Sequence, residues 1–275
     1  MLALGLVLVL SVAAPSAGPS ASPSPSPSPS AGPSDSCGTN HTNILNAINR
    51  PTVGYSSCAV KPADLFYEIG YANALTADQH TATYPQGFLR IGLVPNVEID
   101  AIAPAFEVQR TGSQVVSGVL DSGFGAKYEY WHDSSTQAAI DFLYLAPTGI
   151  DQFSAHAPVE TINFDAAHSL SPAVGVAATL GVQSDHAQSR SGSWGRFVSY
   201  LPSFDVTDQV SDNLQFYGEV YWQTPLRPDG GSLLGLDGGV QYLIDPALEV
   251  DVEAGRTITD LQRAHYYGFG FGVRF

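Results

Sequence analysis

The last eleven residues of the chain, 265–275, have the sequence HYYGFGFGVRF, in which two kinds of side chain alternate. Tyr267 and every second residue after it are large and apolar, and Gly or a polar residue stands between them. Because successive side chains of a β-strand point to opposite faces, this stretch predicts a strand with one apolar face and one small or polar face. The strand ends on the aromatic residue Phe275.

The same alternation continues towards the N-terminus. It marks three further strands in residues 214–222, 234–242 and 248–254. Eight more are predicted near 64–75, 86–94, 96–107, 122–132, 137–146, 159–169, 173–183 and 195–206. About 12 strands, an even number, are typical of a closed antiparallel up-and-down β-barrel in a membrane.

The connections between the predicted strands alternate in length. Short ones lie at 94–96, 132–136, 171–172, 206–213 and 245–246. Mostly longer and polar ones lie at 76–85, 108–121, 147–158, 184–194, 223–233 and 257–264. Outer-membrane barrels have short periplasmic turns and long external loops. The pattern therefore favours an all-β transmembrane barrel at 63–275, in the outer membrane of a Gram-negative cell, over a soluble β-sandwich.

Three segments precede the predicted barrel. The apolar run that begins the chain is shorter than the roughly 20 residues of a spanning helix, so residues 1–17 are predicted to be a signal peptide. Residues 18–36, rich in Pro and Ser, are predicted to be an extended linker. Residues 37–62 are predicted to be a periplasmic segment in which Cys37 and Cys58 form a disulfide.

Charge excludes one class of partner. The chain has 11 Lys and Arg residues against 26 Asp and Glu residues, a formal net charge of −15. Nucleic-acid binding requires clustered basic residues, so it is not expected. No metal site or cofactor is predicted either.

Charged side chains fall on the faces that would point into the barrel if the apolar faces meet lipid. These predicted pore-lining residues, eleven acids and three bases, are Glu68, Arg90, Glu98, Asp100, Lys127, Glu129, Asp141, Asp165, Glu219, Asp237, Glu249, Asp251, Glu253 and Arg274. Because carboxylates this dense cannot all stay ionised in a dry interior, they indicate a water-filled, cation-preferring lumen. The alternative is a salt-bridged polar core around the three bases that seals a narrow barrel.

Aromatic residues lie near the ends of the predicted strands, mostly on the apolar faces. They are Tyr128, Tyr130, Trp131, Tyr144, Tyr200, Trp222, Tyr242, Tyr267 and Phe275. Barrels carry aromatic girdles at both membrane interfaces, so a girdle is predicted rather than a binding stack for aromatic solutes. Phe275 also resembles the C-terminal signal that the barrel-assembly machinery recognises, which makes this machinery a predicted transient partner.

Several motifs stand in order along the chain: NRPTVGYSSCAVKP at 49–62, LFYEIGY at 65–71, FLRIGL at 88–93, DSGFGAKYEY at 121–130, APTG at 146–149, LDGGVQYLIDPALEVDVEAG at 236–255 and the closing YYGFGFGVRF. They resemble the outer-membrane transporter family named for the meta-cleavage pathway of phenol degradation, over about residues 37 to 275. The resemblance implies a barrel that passes small molecules, among them hydrophobic or aromatic ones. It carries no catalytic or binding residue over to this chain.

Three functions are therefore weighed. A channel or transporter for small molecules is favoured, and a structural barrel without transport is the alternative. A lipid-acting enzyme is a third possibility, because some outer-membrane phospholipases are twelve-stranded barrels. The chain has no G-x-S-x-G or H-E-x-x-H motif, so no catalytic residues are assigned.

Overall fold

The computed structural model describes residues 44–45, 47–259 and 263–275. The predicted signal peptide, the linker and Cys37 lie outside the described residues, so they stay predictions. Within the described ranges, no helix is long and apolar enough to cross a membrane.

The described residues form fourteen β-strands. They are β1 (Leu65–Leu75), β2 (Gln79–Val94), β3 (Val97–Ile102), β4 (Phe106–Thr111), β5 (Gln114–Val119), β6 (Ser122–His132), β7 (Thr136–Ala146), β8 (Val159–Ser169), β9 (Val174–Gln188), β10 (Trp194–Ser211), β11 (Leu214–Gln223), β12 (Leu233–Asp245), β13 (Leu248–Thr259) and β14 (Arg263–Arg274).

Twelve of these strands close into an antiparallel barrel. From β6 to β14 each strand pairs with its neighbour in sequence, and β14 pairs with β1 from Phe66↔Arg274 to Leu75↔His265. The ring is completed by the pairs β1–β2, β2–β3 and β3–β6. The predicted twelve-stranded up-and-down barrel with a closing C-terminal strand is confirmed.

The other two strands, β4 and β5, form a hairpin beyond the ring. β4 pairs with the outer half of β2, from Gln79↔Thr111 to Tyr84↔Phe106, and β5 pairs with β4. The prediction of a loop at 108–121 is therefore wrong, because most of these residues belong to β4 and β5. The strand predicted at 96–107 is interrupted at residues 103–105, because Pro104 has no N–H to donate to a neighbouring strand.

Several strands are longer than predicted. β2 begins at Gln79, so the predicted loop 76–85 is reduced to residues 76–78. Likewise, β9 and β10 occupy most of 184–194 and 206–213, and β13 and β14 extend into 257–264. Where strands project beyond the bilayer, water reaches both faces, so the apolar alternation fades while backbone pairing continues.

Exposure follows the pleat of the sheet. On β13, Val250 and Val252 are exposed on the outer face, whereas Glu249 and Asp251 are buried inside. Eight of the nine aromatic residues predicted to form girdles are exposed as well, and only Tyr144 is half-buried. Apolar side chains on the outside and charged ones inside are the arrangement of a barrel whose solvent is lipid.

A small apolar core sits inside the barrel at its periplasmic end. Residues of the segment before β1, among them Ile44, Ile48 and Val60, pack there with Phe66 and Leu243 of the barrel wall. The barrel is therefore filled at this end by its own N-terminal segment.

Candidate functional site

Residues 47–60, here called the plug, lie inside the barrel. The sequence analysis assigned them to a periplasmic segment. Instead, they contact inward-facing side chains of β1, β2, β3, β6, β9, β11, β12 and β13. The plug has no regular secondary structure, so its backbone needs hydrogen-bond partners from elsewhere.

Carboxylates of the barrel wall supply acceptors for the plug's backbone N–H groups. Glu68 accepts hydrogen bonds from residues 49–50 at 2.9 to 3.2 Å. Glu219, on β11 and four strands away around the ring, accepts them from residues 53–54 at 2.7 and 2.8 Å. Glu129 accepts one from Ala59 at 2.9 Å. Several acids predicted to line an open lumen therefore bind the plug.

Two of the predicted bases bind the plug's carbonyl groups. Arg90 donates through Nη2 to the carbonyl of Cys58 at 2.8 Å and through Nη1 to that of Ala47. Lys127 donates through Nζ to the carbonyl of Ser56 at 2.6 Å. Both side chains are buried, so their charges must be balanced inside the barrel.

The balancing acids form a buried network around these bases. Arg90 Nε lies 2.9 Å from Glu98, and Lys127 Nζ lies 3.4 Å from both Glu98 and Asp141. All four side chains are at most 1% exposed. Arg274, the third base of the polar core considered in the sequence analysis, takes part in none of these three ion pairs.

Arg50 of the plug takes the place that the sequence analysis gave to Arg274. Its guanidinium binds both oxygens of Asp251, with Nε at 3.2 Å and Nη2 at 3.1 Å. A Cβ at Gly70 or Gly270 would overlap this guanidinium. The sequence analysis missed Arg50 because the plug has no strand periodicity. The available signals were the surplus of inward acids and the glycines of the closing strand.

Most residues predicted to line the pore are buried inside the barrel. Those buried are Glu68, Arg90, Glu98, Asp100, Lys127, Glu129, Asp141, Asp165, Glu219, Glu249 and Asp251. Asp237, Glu253 and Arg274 are half-buried. The predicted disulfide stays a prediction: Cys58 is fully buried in the plug, and Cys37 lies outside the described residues.

The plug lies between two cavities. The larger, of about 830 Å³, lies towards the long loops and is lined by residues such as Val159, Gln183 and Thr257 at the external strand ends. The smaller, of about 420 Å³, lies towards the short turns. Four plug residues, Arg50, Thr52, Gly54 and Tyr55, line both cavities. They are therefore the partition between the two ends of the lumen.

The larger cavity has two chemically different walls. One is mainly apolar and contains Phe88, Ile102, Leu120, Leu145, Phe153 and Val159. The other contains Tyr221, Glu253, Thr257 and Tyr266. A cavity of this size with apolar lining and a few placed polar groups suits a small organic molecule.

Comparison with known proteins identifies a matching family and solved structures with a similar fold. The family model described as the MetA-pathway of phenol degradation matches residues 48–275. An outer membrane channel from Pseudomonas putida F1 has a TM-score of 0.64 at 12% identity, covering 82% of this chain and 100% of the channel. The NanC porin has a TM-score of 0.54 at 10% identity, covering 75% and 98%. No curated protein matches by sequence.

Proposed function

Since the chain belongs to the family of the MetA-pathway of phenol degradation, we propose that it is an outer-membrane channel that admits small molecules, including hydrophobic or aromatic ones. The observation that carries this proposal is the larger cavity, which lies at the loop end and has a largely apolar wall. The fold shared with an outer membrane channel of Pseudomonas putida F1 supports it.

Passage through the barrel requires the plug to move. Arg50, Thr52, Gly54 and Tyr55 contact both cavities, so a solute in the larger cavity meets the plug as its floor. When the plug is displaced, Glu68, Glu219 and Asp251 lose their partners on it and line the path. Carboxylates that line a pore favour cations, so the open path is cation-selective.

A structural barrel without transport is the second candidate. The observation that favours it is the number of buried polar contacts on the plug, including the pairing of Arg50 with Asp251 and of Arg90 with Glu98. Removing one partner of a buried ion pair is costly, so these contacts resist displacement of the plug.

Planar-bilayer recordings of the purified barrel separate the two candidates. Arg50→Ala removes the guanidinium that binds Asp251 and Gln86, so we expect larger or more frequent conductance steps than in the wild type. Arg256→Ala is the matched control, because Arg256 is exposed on β13. A salt gradient should give a cation-selective reversal potential.

Two results would contradict the proposal. Absence of conductance in the wild type and in Arg50→Ala, with both proteins folded, would favour the structural barrel. Anion selectivity would contradict the acidic path.

A further inference from the structure

A hydrogen-bonded row of side chains crosses the polar wall of the larger cavity. The hydroxyl of Tyr221 on β11 donates to that of Tyr266 on β14 at 3.1 Å, and Tyr266 donates to Asp237 on β12. The register explains how they meet: Tyr221 lies opposite Gly235, and Gly255 of β13 lies opposite both Asp237 and Tyr266.

The two glycines provide the space for the tyrosine rings. A Cβ at Gly235 would overlap the ring of Tyr221, and a Cβ at Gly255 would overlap that of Tyr266. Each ring therefore lies flat against the sheet over a glycine of the neighbouring strand, as aromatic side chains do when they cover strand glycines. The direction of each ring, and thus of each hydroxyl, is fixed by the sheet.

The row has a fixed polarity. An ionised carboxylate can only accept hydrogen bonds, so the hydroxyl hydrogen of Tyr266 is committed to Asp237. The oxygen of Tyr266 then accepts the hydrogen of Tyr221. Both hydroxyl hydrogens are used within the row, and Tyr221 offers the cavity only lone pairs. The carboxylate of Glu253 on the same wall is likewise an acceptor.

The base in the floor of the cavity does not reverse this polarity. Arg50 lines the cavity, but its Nε and Nη2 bind Asp251 and its Nη1 lies 3.4 Å from Gln86. These bonds use three of its five N–H groups, and its charge is paired with the carboxylate of Asp251. The polar wall accepts hydrogen bonds, whereas the opposite wall, with Phe88 and Phe153, offers apolar contact.

We infer that the larger cavity binds small molecules that carry a hydrogen-bond donor, a hydroxyl or ammonium group, on an apolar ring-sized body, and that it excludes aromatic carboxylates. A donor head binds Tyr221 and Glu253, and the body packs on the apolar wall. At the same position a carboxylate head would meet the lone pairs of Tyr221 and the like charge of Glu253. This inference rests on the proposed function and names the class of solute that the channel takes.

Ligand-observed NMR on the full-length, detergent-solubilised protein tests the inference, at a mildly alkaline pH at which the cavity carboxyl groups are ionised and benzylamine is still protonated. The probes are benzylamine, benzyl alcohol and benzoate, which share one ring and differ in the head group. We expect benzylamine to bind most tightly, benzyl alcohol less tightly, and benzoate at least tenfold more weakly than benzylamine.

Variants locate the selectivity. In Tyr266→Phe, Tyr221 loses its acceptor, so its hydroxyl becomes free to donate to a ligand. We expect the ratio of benzylamine to benzoate affinity to fall about tenfold. Tyr221→Phe removes the acceptor that faces the cavity and should weaken benzyl alcohol most. Tyr267→Phe is the matched control, because Tyr267 is the next residue of β14 and is exposed on the outer face.

Equal binding of benzoate and benzylamine would overturn the inference, as would a Tyr266→Phe protein with the selectivity of Tyr267→Phe. Heat-modifiable migration of each variant shows that its barrel is folded. Because binding is measured without transport, selective binding in a barrel without conductance would contradict the proposed function and leave the binding site in place.

Discussion

Single residues decide whether the plug fits inside the barrel. Gly92 of β2 is the clearest case, because a Cβ there would overlap the backbone carbonyl groups of Val60 and Lys61. These are backbone atoms and cannot rotate aside as the end of a side chain can. At Gly272 the overlap is with Cδ1 of Ile48, which can rotate. The absence of a side chain therefore matters most at Gly92.

Gly92→Ala should destabilise the barrel and its plug. Overpacking of a well-packed interior typically costs about 1–3 kcal/mol, and we expect a loss of this size in the free energy of unfolding in urea. Gly218→Ala is the control, because the nearest atom to its Cβ lies 4.0 Å away. Equal unfolding midpoints for the two variants would show that the plug does not press on β2.

For single residues, the sequence predicts whether a side chain points into the barrel better than it predicts the hydrogen-bond partner of that side chain. Alternation alone assigns Glu68, Arg90 and Glu219 to the inside, where the structure has them buried. It does not reveal that all three side chains bind backbone groups of the plug. Those contacts join residues far apart in the chain, such as Gly54 and Glu219, and an irregular segment has no period from which to predict them.

Among the strands, prediction succeeds inside the membrane and fails outside it. The eleven residues of β6 and the eleven of β8 match their predicted ranges because lipid on one side and the lumen on the other impose strict alternation. The β4–β5 hairpin has Val115 and Val116 exposed on adjacent positions, so alternation is lost. Its strand structure comes from backbone pairing with β2, which the side-chain pattern does not record.

The turn between β6 and β7 gives a test at the level of one element. Asp133 accepts hydrogen bonds from the backbone N–H groups of Ser135 and Thr136, each at 2.8 Å. These donors stabilise the charged carboxylate and lower the pKa of Asp133 to about 2. An unfolded Asp has a pKa of about 3.9, so this turn is stabilised fully above pH ~4 and loses that stabilisation as pH falls through about 2.

The carboxyl carbon shift of Asp133, followed by NMR, should therefore titrate near pH 2, and the amide protons of Ser135 and Thr136 should shift with the same midpoint. Asp133→Asn should abolish this titration in both amide protons, because an amide side chain does not ionise. A midpoint near pH 4 in the wild type would contradict the hydrogen-bonded turn.

In the whole molecule, the barrel closes where its first and last strands meet. Phe275 donates its N–H to the carbonyl of Leu65 at 2.9 Å and accepts from the N–H of Leu65 at 3.3 Å. This seam joins residues at the two ends of the barrel, so it forms only when the entire chain is present. The plug ends at residue 60 and β1 begins at Leu65. The plug therefore enters the barrel close to the seam.

Phe275 also has a surface that a partner could recognise. The residue is 73% exposed, on the outer face next to the seam. We propose that the barrel-assembly machinery binds its aromatic ring.

Phe275→Ala keeps both backbone hydrogen bonds to Leu65, so we expect the purified variant to refold in detergent like the wild type. In cells, its heat-modifiable fraction in the outer membrane should fall several-fold. The matched control is Val210→Ala, an exposed apolar residue near the periplasmic end of β10. Wild-type assembly of Phe275→Ala in cells would show that the ring is not recognised, whereas failure in detergent as well would assign the ring to the stability of the seam.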